Sequence, residues 1–147
     1  MQNFLATPFT LSASFKLIDS SVNGVLTNVY GPNNPREKPL FIDSLAYLAN
    51  WVGQRHWVLG GDFNLITSLQ EKHGGTHKLD QNSEKLNSMI HQLNLVDVRT
   101  ANGVFTWNIK HIGEHVVASR LDRFLLSESI ASSGGDHHTE ILPYTGL

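Results

Sequence analysis

The stretch from Arg55 to Ile66, RHWVLGGDFNLI, puts an apolar run directly before two glycines, an aspartate and an asparagine. Trp57, Val58 and Leu59 read as the middle of a core strand, because the run is too short and too rich in β-branched and aromatic residues for a helix. Gly60 and Gly61 end it where backbone must turn or come close to something. Asp62 and Asn64 then stand at the carboxyl end of the strand, with Phe63 turned the other way. Layered α/β proteins gather ligands and catalytic groups at such ends. An Asx turn capping the strand accounts for the same residues, and the stretch alone does not decide between the two.

Upstream, Phe9, Leu11, Ala13, Phe15 and Leu17 alternate with polar or small residues, the period of a half-buried strand. Asn23-Gly24 is the strongest short hairpin signal, with Val25 to Tyr30 as the returning strand. The breaker-rich loop GPNNPREKP follows. Leu40, Phe41, Leu45, Leu48, Ala49 and Val52 predict a helix from Leu40 to about Gln54, with Pro39 suited to its first turn. Downstream, EKHGGTHKLD reads as a loop. Leu86, Met89, Ile90 and Leu93 mark a second amphipathic helix capped by Asn82 or Ser83. The remainder reads as β: LVDV, VFTWNI, a turn around Gly113-Glu114, VVASRLDRFLLS, one helical turn at SESIA, and a last strand at TEILPY. Helices interleaved with strands and hairpins predict a mixed-sheet α/β layered fold.

At 147 residues and 40% hydrophobic content, the chain is long enough for one domain with a real core. A net charge of −2 excludes binding to nucleic acid by bulk charge, though not contact with phosphate at one local site. The absence of cysteine excludes disulfide scaffolds, thiolate zinc sites and cysteine nucleophiles. No apolar run approaches a membrane span, and the first residues carry no basic leader. These features predict an intracellular protein, nuclear or cytoplasmic, neither secreted nor membrane-bound.

Three segments put polar groups at or near predicted strands: Tyr30 in NVYGPNN, Asp62 with Asn64 in GGDFN, and Arg120 with Asp122 in SRLDRFLLS. Singly each has an ordinary structural use, Tyr30 as a core tyrosine and Arg120 with Asp122 as one rung of a surface ladder. In this order, with LTNVYGPNNPREK, GGDFNLI, FTW and SRLDRFLLS together, the chain resembles the endonuclease/exonuclease/phosphatase superfamily, the DNase I-like fold. More narrowly it is similar to the endonuclease domain of plant LINE-type non-LTR retrotransposons.

The resemblance implies a four-layer α/β sandwich, Mg²⁺-dependent hydrolysis of a phosphodiester, and DNA as the partner, with no small-molecule cofactor. It gives Asp62 the part of orienting or deprotonating the attacking water. Asn64 holds the scissile phosphate, Tyr30 hydrogen-bonds near it, and Asp122 orients a catalytic histidine. Thr106, Trp107 and Arg120 become candidate substrate contacts. These residue types suit the chemistry, which needs an aligned water, a group to take its proton, and donors for charge on the equatorial oxygens.

The chain departs from the family's pattern at both ends. The family's principal Mg²⁺ ligand is a glutamate well before the tyrosine strand, whereas the first glutamate here is Glu37, after Tyr30. The family's terminal Ser-Asp-His is not reached. Residues 1–147 are therefore expected to form a single partial domain, weak or inactive as an enzyme and without a metal site. Its uncovered apolar face favours association. Asp136-His137 mimics the missing motif but precedes the last strand, so it reads as a solvated loop. His73, His77, His111 and His115 read as surface histidines. The alternative is a non-catalytic nucleic-acid or partner-binding module using Trp107, Lys110, Arg120 and Arg123.

Overall fold

Strand β4 (His56–Asp62) carries the opening stretch and lies inside a six-stranded sheet. The computed structural model describes residues 3–18, 21–75, 78–100, 103–110 and 116–132. In chain order it has β1 (Phe4–Thr7), β2 (Thr10–Lys16), β3 (Asn23–Tyr30), α1 (Lys38–Val52), β4, a 3₁₀ turn (Leu69–Glu71) and β5 (Lys72–His73). There follow α2 (Gln81–Gln92), β6 (Leu95–Asp97), β7 (Trp107–Lys110), β8 (Val116–Ser119), β9 (Asp122–Ser127) and α3 (Glu128–Ala131). The large sheet runs β1-β2-β3-β4-β9-β6, and β5-β8-β7 form a small second sheet. The β3/β4 pair is parallel and its neighbours are antiparallel, so the sheet is mixed, as the interleaved pattern predicts.

Parallel neighbours need a crossover, and α1 supplies it between β3 and β4. It buries Phe41, Ile42, Leu45, Leu48 and Val52 against the sheet, while Leu40, read as part of that stripe, is exposed. Helix α2 adds Leu86, Met89 and Ile90 to the same core, beside Val25, Val29, Trp57, Leu59 and Leu125. Its N-cap is Asp80, ahead of the expected Asn82 or Ser83: the Asp80 carboxylate accepts the Ser83 amide at 2.8 Å.

The alternation in β2 is present, but it faces the opposite way from its apolar residues. Thr10 and Ser12 turn to the core, while Leu11 (54% exposed) and Phe15 lie on the other face. The inversion is stabilised by a buried polar chain in which Ser12 and Thr27 share a hydroxyl hydrogen bond of 2.8 Å and the Trp57 indole donates to Thr27 Oγ1 at 2.8 Å. Asn23-Gly24 is not a turn. Both residues belong to β3, paired with Lys16 and Phe15, and a Cβ on Gly24 would stand 2.2 Å from the Phe15 ring. VVASRLDRFLLS is two strands in different sheets, broken at Arg120-Leu121.

The outer face of the sheet is apolar across its width. By register, Phe4, Ala13, Leu26, Val58, Leu126 and Val96 form one row, one residue per strand. Phe4, Leu26 and Val96 of this row are exposed, Leu26 by 53%, while Leu126 is buried. No described helix is long and apolar enough to cross a membrane. The turn expected at Gly113-Glu114, the strand expected from residue 139, and His77, His111, His115, Asp136 and His137 lie outside the described residues.

Candidate active site

Strands β3, β4 and β9 place three side chains in one rung on the outer face. Tyr30 is paired with Asp62, and Asp62 with Asp122, through the main-chain register. Tyr30 and Asp62 are the last residues of parallel strands, at the carboxyl edge where such sheets present ligand sites. Tyr30 is 72% exposed, Asp62 half-buried and Asp122 exposed.

The chain reverses beyond Asp62 in a tightly bonded loop. Gly61 has φ +137°, and a Cβ there would lie 2.2 Å from the Val29 carbonyl, so glycine is required. The Asp62 carboxylate accepts the Asn64 amide at 2.8 Å, which is the Asx turn expected at the strand's end. The Asx-turn reading of GGDFN therefore holds, and the turn fixes where the two side chains stand. Asn64 takes a left-handed backbone (φ 50°), which asparagine tolerates. Its Nδ2 donates to the Gly31 carbonyl at 2.5 Å, tying the turn to the segment after Tyr30. Phe63 points into the core, where its ring meets Phe41 edge-on at 6.1 Å.

Burial pushes the Asp62 carboxyl above its ordinary range. The Asn64 amide opposes that shift, Asp122 adds to it, and Lys38 opposes it. Lys38 is a site residue that the sequence reading missed. It opens α1, and its Nζ donates to the Asn64 carbonyl at 2.8 Å.

Two expected substrate contacts take other places. Arg120 is 1% exposed, and its guanidinium donates to Asp97 at 2.7 and 2.9 Å, to Glu71 at 2.8 Å and to the Val98 carbonyl at 3.1 Å. It faces away from solvent and holds an ion-pair cluster together. Arg123 lies in the same cluster, bonded to Glu71 at 2.9 Å and to Asp97 at 2.9 Å. The binding-module reading thereby loses two of its four residues. The Thr106 hydroxyl accepts the amides of Leu121 and Asp122 at 2.9 and 3.0 Å, so it sets the start of β9. Trp107 opens β7, and its side chain, like that of Lys110, lies outside the described part of the structure.

The cluster holds the loop that follows Asp62. Glu71 also accepts the Thr67 amide at 2.7 Å and the Thr67 hydroxyl at 3.0 Å, while Arg123 donates to the Leu65 carbonyl at 3.1 Å. Burial alone would raise the Glu71 carboxyl. The bonds and charge of Arg123, with the Thr67 amide and Arg120, outweigh it and bring the carboxyl to about 2. No periodicity in EKHGG marks Glu71 as buried; only its long-range partners do.

Asp62 and Asp122 are the carboxylates of the rung, and no group of three or more His, Cys, Asp or Glu able to hold a metal occurs among the described residues. The described donors alone do not make a Mg²⁺ centre.

No protein-family model matches the chain, and no curated protein does. Solved structures do. The endonuclease domain of TRAS1, a telomere-specific non-LTR retrotransposon, superposes with a TM-score of 0.66 at 15% identity, over 84% of this chain and 52% of that one. The 3′ phosphatase NExo from Neisseria, bound to product DNA hairpin, gives 0.63 at 20% identity, over 87% and 55%. An endonuclease/exonuclease/phosphatase family protein from Bacteroides thetaiotaomicron gives 0.54 at 17% identity, over 82% and 42%. The chain spans about half the length of these structures. Its fold is the DNase I-like α/β fold that they share.

Proposed function

We propose that this chain, built on the DNase I-like fold, carries the water-handling and phosphate-holding half of a site that hydrolyses phosphodiesters in DNA. The observation that carries the reading is the single rung of Tyr30, Asp62 and Asp122, with Asn64 fixed beside it by the Asx turn. Asp62 has one oxygen engaged by the Asn64 amide, and its other oxygen takes the proton of an attacking water. The raised carboxyl makes it a better base than an ordinary aspartate. The second Nδ2 proton of Asn64 and the Tyr30 hydroxyl donate to phosphate oxygens as charge develops there. Asp122 orients a histidine in the family that the sequence resembles.

Mg²⁺ belongs to the same resemblance, and no step here runs through it, because the described donors fall short of a metal centre. On this reading the chain is a single partial domain, weak or inactive alone and ancestrally a retrotransposon-type endonuclease. A DNA substrate is in keeping with the nuclear or cytoplasmic location expected from the sequence. The likeness to the TRAS1 and NExo structures supports the substrate class.

The test is nicking of supercoiled plasmid with and without Mg²⁺, beside Asp62→Ala. Slow Mg²⁺-dependent nicking that disappears in Asp62→Ala supports a working site. Equal nicking by both proteins would remove Asp62 from the chemistry.

A further inference from the structure

Lys38 occupies an unfavourable place for a lysine. It is the first residue of α1, where the helix macrodipole disfavours a cation, and Pro39 already serves the helix start. Burial lowers its pKa, against the attraction of Asp80 and then Asp62. Helix formation therefore does not account for it. Its Nζ instead reaches the Asn64 carbonyl at 2.8 Å, the main chain of a residue with a positive φ. Asp80 is the N-cap of α2, so the ammonium stands where the end of β4 and the starts of both long helices converge.

We infer that Lys38 is a positioning residue for the Asp62–Asn64 pair: it pins the Asn64 peptide in its left-handed turn and keeps a positive charge beside Asp62. The inference rests on the hydrolytic reading above. Asp62 is faced by Tyr30 from β3, Asp122 from β9 and Lys38 from α1, with Asp80 from α2 beyond the lysine. Lys38 is the one cation among them, opposing the repulsion of Asp122. The turn it braces also fixes Asn64 Nδ2 against Gly31, so loosening the peptide loosens the phosphate donor.

The test compares the full chain with Lys38→Met and Lys38→Arg, following the Asp62 carboxyl and the Asn64 amide by NMR titration, and plasmid nicking in parallel. In Lys38→Met the Asp62 midpoint rises by about half a pH unit and the Asn64 amide signal shifts. Nicking falls about tenfold in kcat with KM nearly unchanged, and its acid limb moves to higher pH. Lys38→Arg, which keeps charge and donor, restores all of these. If Lys38→Met does not fold, Lys38→Gln must still raise the Asp62 midpoint. An unchanged midpoint and amide in the charge-free variant, or no rescue by arginine, overturns the inference. Equal nicking by the wild-type chain and Asp62→Ala defeats the hydrolytic reading instead, and the NMR arms then decide the placement of Lys38 by themselves.

Discussion

Strand β9 carries two neighbouring charges that the molecule treats in opposite ways. Asp122 faces outward beside Asp62, two carboxylates adjacent in one rung, with the Lys38 charge acting on Asp62 from α1. Arg123, one residue on, faces inward to a cluster where Arg120 and Arg123 meet Glu71 and Asp97. In that cluster charge balances charge; among the described buried side-chain nitrogens and oxygens, only Arg123 Nε lacks a partner. The paired group fixes the shape of the loop, while beside it burial, with the Asp122 charge adding, raises the Asp62 carboxyl. The buried ion cluster and the exposed rung are thus distinguished by how their charges are balanced, not by their composition.

The comparison breaks most visibly at Glu71. Glu71→Gln leaves two buried guanidinium groups short of a counter-charge and should cost about 3–5 kcal/mol in urea unfolding. The pH profile sharpens it next. Glu71 is depressed in the folded state from 4.5 to about 2, so its contribution is complete above pH 4.5 and disappears as pH falls through about 2. The loss, read from unfolding curves, should be about 3 kcal/mol for this nearly buried group and absent in Glu71→Gln. Asp62 has the opposite sign: its raised carboxyl favours the fold below its unfolded pKa, and that contribution declines as pH rises through the folded value. Thr106→Val strips the acceptor from the Leu121 and Asp122 amides; about 1–2 kcal/mol should go, together with part of any nicking activity. The smallest effect belongs to Asp122→Asn, which removes the like charge. The Asp62 midpoint, followed by NMR, should fall by less than about one pH unit with little change in stability.

Much of this architecture was legible in the residues. The parallel β3–α1–β4 unit follows from a β-branched strand, breakers, an apolar helical stripe and a second strand. Tyr30, Asp62 and Asp122 fall at strand ends because glycine or loop residues adjoin them. What periodicity could not say is which face of a strand is inside. In β2 the apolar residues alternate faithfully, yet the core takes Thr10 and Ser12, because the Thr7 hydroxyl pairs with that of Thr10, and Thr27, itself bonded by the Trp57 indole, pairs with that of Ser12. Arg120 was misplaced for a related reason. An arginine beside a motif aspartate reads as a substrate contact until Glu71 and Asp97, distant in sequence, are seen to enclose it. Lys38 was hidden in a loop of breakers, where no periodic signal marks a side chain that reaches across to Asn64.

The rung of Tyr30, Asp62 and Asp122 also bears on how such a site can vary through descent. Side chains alternate along a strand, so one residue inserted or deleted within β3, β4 or β9 would turn a member of the rung to the opposite face. Between those strands, the breaker-rich segment after Tyr30 and the stretch from Thr67 to Leu121 can lengthen or shorten without moving the rung, provided the turn at Asn64 and the Glu71 cluster are kept. Lineages carrying this site should therefore differ widely in the spacing of its residues while keeping each strand's phase, and a search keyed to fixed intervals would overlook them.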